Sequence, residues 1–256
     1  MSLAQNTYGQ RDIQAALLAI VKEVDRVCRA HGIEYSIYGG TLLGAVREGG
    51  FIPWDDDLDL VFTRDMLERL VAVFPHESAT CTITRTDTWV TRAVPREPVN
   101  GEFPFVDLFH YAPISADQKA RSRKLWKLRA LQGMLKENIV YRSYTGKNRL
   151  LVAATHLLGL PFSKALKLRW YRHVSEHAAR GDGTLLHVTD DCFAGLRHLY
   201  PHACVERYED VPFEDTLLCA SAQRLEMLRI KYGERYMTPP PEAERKPSHT
   251  RAKASV

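Results

Sequence analysis

Trp54-Asp55-Asp56-Asp57-Leu58-Asp59-Leu60-Val61-Phe62 is the stretch that decides the fold. Its acids do not open a helix; they run straight into apolar residues. Asp57 to Phe62 therefore reads as a strand, on which side chains alternate between faces. Asp57 and Asp59 share one face, while Leu58 and Leu60 turn into the core. Two carboxylates side by side repel each other unless a cation offsets their charge. Ligation by oxygen alone suits Mg²⁺ or Mn²⁺, which keep waters and share a substrate's phosphate oxygens. Taken alone, Asp-x-Asp is also the composition of a solvated acidic turn. The apolar strand that follows is what favours the metal reading.

Upstream, Gly39-Gly40-Thr41 lies between a short strand, Glu34 to Tyr38, and a helix that Thr41 is expected to cap and that runs through Arg47. Glycines let a phosphate approach the backbone, and a helix N-terminus offers free N–H groups at its positive end. Arg47, at the far end of that helix, is placed either to reach a phosphate oxygen or to satisfy the helix dipole. Glu48 to Asp56 is a loop. Further upstream, Ile13, Leu17, Ile20, Val21, Val24, Val27 and Cys28 mark one face of a helix that Gly32 ends.

Downstream, Thr63 caps a helix to about Val73. Strands are expected over Cys81 to Arg85, Trp89 to Val94 and Phe103 to Tyr111. Asp107 is the lone acid in the apolar Phe103–Phe109 run. A buried carboxylate needs a partner. An arginine would serve; a metal shared with Asp57 and Asp59 would make Asp107 the third ligand of a two-metal site, with Asp55 the next carboxylate in line. Trp54, Tyr38 and Phe51 lie close in sequence to the acids. Aromatics so placed read first as core residues.

The chain has 256 residues, 45% of them hydrophobic, which is enough to build a sizeable core. Its formal net charge of +4 conceals a segregation. From Ala116 to Arg172 fourteen Lys or Arg stand against Asp117 and Glu137, a local +12 that leaves the remainder at −8. Leu125 to Leu135 and Pro161 to Ala179 read as helices in this segment. The expected organisation is a core over 1–115, a basic helical insertion over 116–203, the rest of the core over 204–240 and a mobile tail over 241–256. A late helix, Leu225 to Tyr232, is ended by Gly233.

The basic insertion suits a solvated face or an anionic membrane surface. It also suits nucleic acid, with Trp126, Tyr141, Tyr144, Trp170 and Tyr171 as stacking rings, though aromatics on helices more often pack. No stretch is long and apolar enough to span a bilayer. The five scattered cysteines, without Cys-x-x-Cys, suit a reduced cytoplasmic protein. His173 with His177 and His198 with His202, near Cys192 and Cys204, fit no standard zinc spacing.

Tyr38-Gly39-Gly40-Thr41-Leu42-Leu43-Gly44-Ala45-Val46-Arg47 followed by Gly50-Phe51-Ile52-Pro53-Trp54-Asp55-Asp56-Asp57-Leu58-Asp59 resembles the LicD family of phosphorylcholine transferases, related to fukutin-type phosphosugar transferases. Lys231-Tyr232-Gly233-Glu234-Arg235-Tyr236-Met237-Thr238-Pro239-Pro240-Pro241 is similar to the family's closing motif, and Val211-Pro212-Phe213-Glu214-Asp215 resembles the segment before it. The middle, about 116–200, is not matched. After Val46-Arg47 the family has a basic pair where this chain has Glu48-Gly49.

The resemblance implies an α+β fold of the nucleotidyltransferase type, a mixed sheet flanked by helices. It implies catalytic and metal-binding Asp57, Asp59 and Asp107, with Gly39, Gly40, Thr41, Arg47, Trp54 and Asp55 on the substrate. The implied reaction moves phosphocholine or a similar phospho-alcohol from a CDP-choline-type donor to a sugar hydroxyl of a surface glycan or its lipid-linked precursor. Choline would want aromatic faces around its ammonium, and Trp54, Tyr38 and Phe51 are near in sequence to the acids. It would use Mg²⁺ or Mn²⁺ and no nucleic acid, in the cytoplasm or at the inner face of the membrane. The rivals are an Asp-x-Asp sugar-nucleotide glycosyltransferase and a non-catalytic basic binding module. The first would need several βα units before the Asp pair, and only fifty-six residues precede Asp57.

Overall fold

A computed structural model describes residues 8–136 and 146–247. The fold is α+β, with a mixed sheet and helices. The chain divides into two compact units, one of Met1–Thr84, Arg92–His110 and Ala203–Val256, the other of Arg85–Thr91 and Tyr111–His202.

In the first unit, α1 (Arg11–Ala30) buries Leu17, Ile20, Val21, Val24, Val27 and Cys28, the stripe that its periodicity marks. After it come β1 (Ser36–Ile37) and α2 (Gly39–Arg47). β2 (Asp59–Thr63) leads into α3 (Arg64–Glu77), whose first turn Thr63 caps by accepting from the Met66 N–H at 3.4 Å. β3 (Cys81–Thr84), β4 (Thr91–Pro95) and β5 (Val106–Pro113) complete the sheet, in the order β1-β2-β5-β4-β3. β1 runs antiparallel to β2, with Ile37 opposite Leu60.

Several boundaries differ from expectation. β2 begins at Asp59 rather than Asp57, and β1 is shorter than Glu34 to Tyr38. The face alternation survives: Leu58 and Leu60 are fully buried, and Asp57 and Asp59 partly so.

The second unit begins inside β5, where Tyr111, Ala112 and Pro113 pair antiparallel with β6 (Leu185–Val188); β7 (Tyr200–Pro201) pairs with β6. The segment expected to be wholly helical thus carries two strands. Its helices are α4 (Gln118–Leu135), α5 (Gly146–Gly159) and α6 (Lys164–His177). Asp117 caps α4 and Ser163 caps α6, so Pro161 lies outside the helix. Leu128, Leu131, Leu135, Leu168, Tyr171 and Leu196 form this unit's core, and Trp170 packs on it.

Lys124 is not part of the solvated basic face. It is buried and donates to the Ser175 carbonyl at 2.8 Å, and burial pulls its pKa down to about 8. Tyr141 and Tyr144 lie outside the described residues.

The chain then returns to the first unit. β8 (Tyr208–Phe213) and β9 (Thr216–Ser221) form an antiparallel hairpin, and α7 (Arg224–Tyr232) ends at Gly233, whose φ of 81° suits a glycine. The Ser221 N–H donates to Ser36 Oγ at 3.0 Å, and the Cys219 N–H to Tyr35 Oη at 3.3 Å, tying the hairpin to β1 and its approach. Residues 242–244 make a 3₁₀ turn; 248–256 lie outside the described residues.

Candidate active site

The site gathers around the first turn of α2, within the first unit. Tyr38, not Thr41, is the N-cap of this helix, and it makes no side-chain cap hydrogen bond. The first turn is left with N–H groups that lack intrahelical partners. Thr41 instead braces the neighbouring strand. Its Oγ1 accepts from the Asp59 N–H at 2.9 Å, fixing the start of β2 against α2.

Both glycines are required by close approach. An added Cβ at Gly39 would stand 2.6 Å from Asp59 Oδ2 and 3.7 Å from Lys231 Nζ. One at Gly40 would stand 2.6 Å from Asp55 Oδ2. Gly39 also sits at φ 57°, in the left-handed region that other residues enter at a cost. Helix α2 thus presents its N-terminus to two carboxylates and to the Lys231 ammonium, which lies 4.0 Å from the centroid of the Tyr38 ring.

Asp55 and Asp57 meet side chain to side chain. Burial, followed by the charge of Asp57 and the hydrogen bond with it, pushes the Asp55 carboxyl up to about 9. In the metal-free chain one proton therefore does what a cation would otherwise do for this pair. The backbone around Asp55 is held by Gln14, whose Nε2 donates to the Asp55 carbonyl at 2.9 Å and to the Ile52 carbonyl at 3.2 Å.

Asp107 has an arginine as its partner. Arg92 Nε donates to its Oδ1 at 2.8 Å, and the guanidinium lies over the Phe105 ring at 3.7 Å. Among the described residues no group of three or more His, Cys, Asp or Glu is gathered to hold a metal ion. A cation placed here would accordingly take one or two carboxylates from Asp55, Asp57 and Asp59, and complete its shell with water and substrate phosphate. That is the ordinary habit of Mg²⁺. An oxygen donor set, a proton-sharing carboxylate pair and a glycine cradle that a Cβ would fill all fit the ion.

Arg47 is nearly buried, with 7% of its side chain exposed. Nε donates to Glu48 at 2.7 Å, and the buried Nη2 has no hydrogen-bond partner. An orphaned guanidinium donor is costly unless something arrives to accept from it. Its Cζ is 5.9 Å from the centroid of Trp54, and Arg245 lies against the same ring at 5.3 Å. The three aromatics weighed as an ammonium cage are each engaged separately. Phe51 packs on Phe213, Tyr38 on Phe109, and Trp54 on Tyr8.

The structure therefore brings together Gly39, Gly40, Asp55, Asp57 and Asp59, places Thr41 behind Asp59, and gives Arg47 and Trp54 to one another. Two further residues, Lys231 and Arg92, are not singled out by sequence reasoning. Lys231 stands in a segment that carries the family likeness, which was the available signal; nothing local marks Arg92.

Comparison with known proteins finds likenesses over the segment that holds most of these residues. Residues 32–141 match the family model described as LicD/FKTN/FKRP, nucleotidyltransferase domain. The match contains Gly39, Gly40, Thr41, Arg47, Trp54, Asp55, Asp57, Asp59, Arg92 and Asp107; Gln14, Lys231 and Arg245 lie outside it. The chain is 44% identical over 68 residues to the lipopolysaccharide cholinephosphotransferase LicD of Haemophilus influenzae, covering 27% of this chain and 26% of that protein. It is 49% identical over 57 residues to the ribitol 5-phosphate transferase FKRP of Homo sapiens, covering 21% of this chain and 12% of that one. An uncharacterized Rickettsia prowazekii protein, RP689, is 47% identical over 45 residues, 18% of this chain and 17% of its own length. The matched segments thus span about a quarter or less of these relatives. Over residues 32–141, less than half of its length, the chain is similar to the nucleotidyltransferase domain of the LicD/FKTN/FKRP family.

Proposed function

We propose that this chain transfers a phospho-alcohol, choline phosphate or one like it, from a CDP-linked donor to a sugar hydroxyl of a glycan or its lipid-linked precursor. The observation that carries the reading is the close approach of Gly39 and Gly40 to the carboxylates of Asp59 and Asp55, with Lys231 alongside. Backbone donors, an ammonium and paired carboxylates at one helix N-terminus form a place for a phosphate accompanied by a divalent cation. The two named transferases among the relatives move choline phosphate and ribitol 5-phosphate.

Asp57 and Asp59 would hold Mg²⁺ or Mn²⁺, with Asp55 joining them once its proton leaves; the bound ion neutralises charge on the phosphates and lowers the pKa of an attacking hydroxyl. The chain's own groups do the rest. Gly39 and Gly40 admit a phosphate to the free N–H groups of α2. Lys231 and the Nη2 of Arg47 supply positive charge and donors to its oxygens. Phosphoryl transfer needs mainly such positioning and charge stabilisation. Asp107, tied to Arg92, would orient the acceptor side. All five cysteines are free thiols, which suits a reducing compartment such as the cytoplasm.

The test is incubation with CDP-choline or CDP-ribitol and Mg²⁺, with and without glycan acceptors, following CMP. Asp57→Asn and Asp59→Asn should each abolish CMP release while melting at or above the parent temperature, because each removes a charge from a repelling cluster. Full activity in either variant would sink the metal assignment. Turnover of a nucleotide sugar in place of both CDP donors would make the protein a glycosyltransferase.

A further inference from the structure

We infer that the exposed leucine face of α5, with the turn that follows it, docks on a lipid bilayer carrying anionic headgroups. Helix α5 uses one side for the interior of the second unit: Val152 and Thr155 are buried, and Gly159 is closed on by Met134. Its other side is apolar and open. Leu150, Leu151, Leu157 and Leu158 are 73%, 47%, 62% and 62% exposed. At about 100° per residue these four and Ala154 fall within an arc of about 120°, opposite the buried positions. Leu160 and Phe162 extend the patch into the turn before α6, at 63% and 38% exposed. Soluble surfaces scatter large apolar side chains singly; a helix face lined with them marks an interaction site.

Charge selects the partner. The patch lies in the segment that carries fourteen Lys or Arg against two acids. Lys119, Arg123 and Lys127 on α4, Arg149 at the start of α5, and Arg169 and Arg172 on α6 are exposed. A second copy of this chain would set the same positive charge against itself. An anionic bilayer offers both complements: a hydrocarbon boundary for the leucines and negative headgroups for the exposed basic side chains of the same unit. No helix among the described residues is long and apolar enough to cross a membrane. With fourteen residues, α5 fits an arrangement lying in the interface plane. The inference stands independently of the phosphate chemistry proposed above.

Co-sedimentation of the whole chain with phosphatidylcholine vesicles, with and without phosphatidylglycerol, tests it at about 0.1 M and about 0.5 M salt. Binding is expected on the anionic vesicles and should weaken at the higher salt. Leu157→Ser with Leu158→Ser, at positions already open to solvent, should lower that binding roughly tenfold or more at either salt. Arg123→Gln with Lys127→Gln and Arg149→Gln should lower it mainly at low salt. Melting temperature and CMP release from a soluble donor should match the parent in both variants, which separates lost docking from lost folding. The inference is overturned if the parent ignores anionic vesicles at both salts, or if the leucine variant binds them as well as the parent does. It is equally overturned if the parent is a dimer that the leucine variant splits and vesicles do not compete for. Vesicle binding without CMP release would leave this surface standing and remove the phospho-alcohol reading.

Discussion

Gly40→Ala puts the reading of the site under the sharpest test. The new Cβ would lie 2.6 Å from Asp55 Oδ2 and 3.6 Å from Asp55 Cγ. An ordinary carbon–oxygen contact is nearer about 3.4 Å, so the carboxyl must retreat by somewhat under about 1 Å. Two effects on stability then oppose one another. Alanine gains about 1 kcal/mol over glycine in a helix, and overpacking costs about 1–3 kcal/mol. The net loss should be about 0–2 kcal/mol, leaving the variant folded at room temperature. Catalysis has no such compensation, because displacing a positioned group by about 1 Å costs up to roughly 100-fold in rate. We expect CMP release to fall about 10- to 100-fold, with a melting temperature lowered by a few degrees at most. Gly44→Ala supplies the contrast. There the Cβ would meet the backbone, the Gly50 carbonyl oxygen at 2.3 Å and the Ile52 nitrogen at 3.1 Å, so stability should suffer first. The measurements are CMP release at saturating donor and thermal melting of both variants. Parent-like turnover in Gly40→Ala, or a loss of activity no larger than its loss of folded protein, would refute the argument that this glycine exists to admit Asp55.

Thr41→Val should cost about 1–3 kcal/mol in chemical denaturation, since it strands the Asp59 N–H, whereas Thr41→Ser should recover most of the loss. Asp55 sets a pH dependence for the metal-free protein. Its folded pKa is raised from 3.8 to about 9, so its contribution is complete below about pH 4 and is lost as pH climbs through 9. Melting temperature in chelator should therefore fall across that window, and Asp55→Asn should flatten the fall; an unchanged slope would dissociate Asp55 from it. Arg92→Met should destabilise by about 1–3 kcal/mol, a figure reduced because a quarter of the arginine side chain is exposed, and adding Asp107→Asn should restore part of the loss. If the double variant is no better than the single one in urea denaturation, the Arg92–Asp107 pair is not what holds Asp107.

Features that depend on neighbours a few residues apart are legible in the chain before it folds. The α1 stripe, the Thr63 cap and the Gly233 stop follow from helical spacing and local hydrogen bonds. The alternation that buries Leu58 and Leu60 fully and Asp57 and Asp59 only in part follows from the two-residue period of extended chain. Whatever depends on segments distant in sequence waited for the folded unit. Thr41 looks like a cap from its position, yet its hydroxyl serves a strand eighteen residues on. Lys124 looks like part of a basic face, yet it reaches a carbonyl on another helix. Asp107 asks for a partner without naming it, and Arg92 becomes that partner through the strand order that sets β4 beside β5. Lys231 arrives at Gly39 across nearly two hundred residues. A buried or charged group fixes only that it must be satisfied; which group satisfies it is settled by the packing of the whole unit, because hydrogen bonds and ion pairs act over a few ångströms of space and not along the chain.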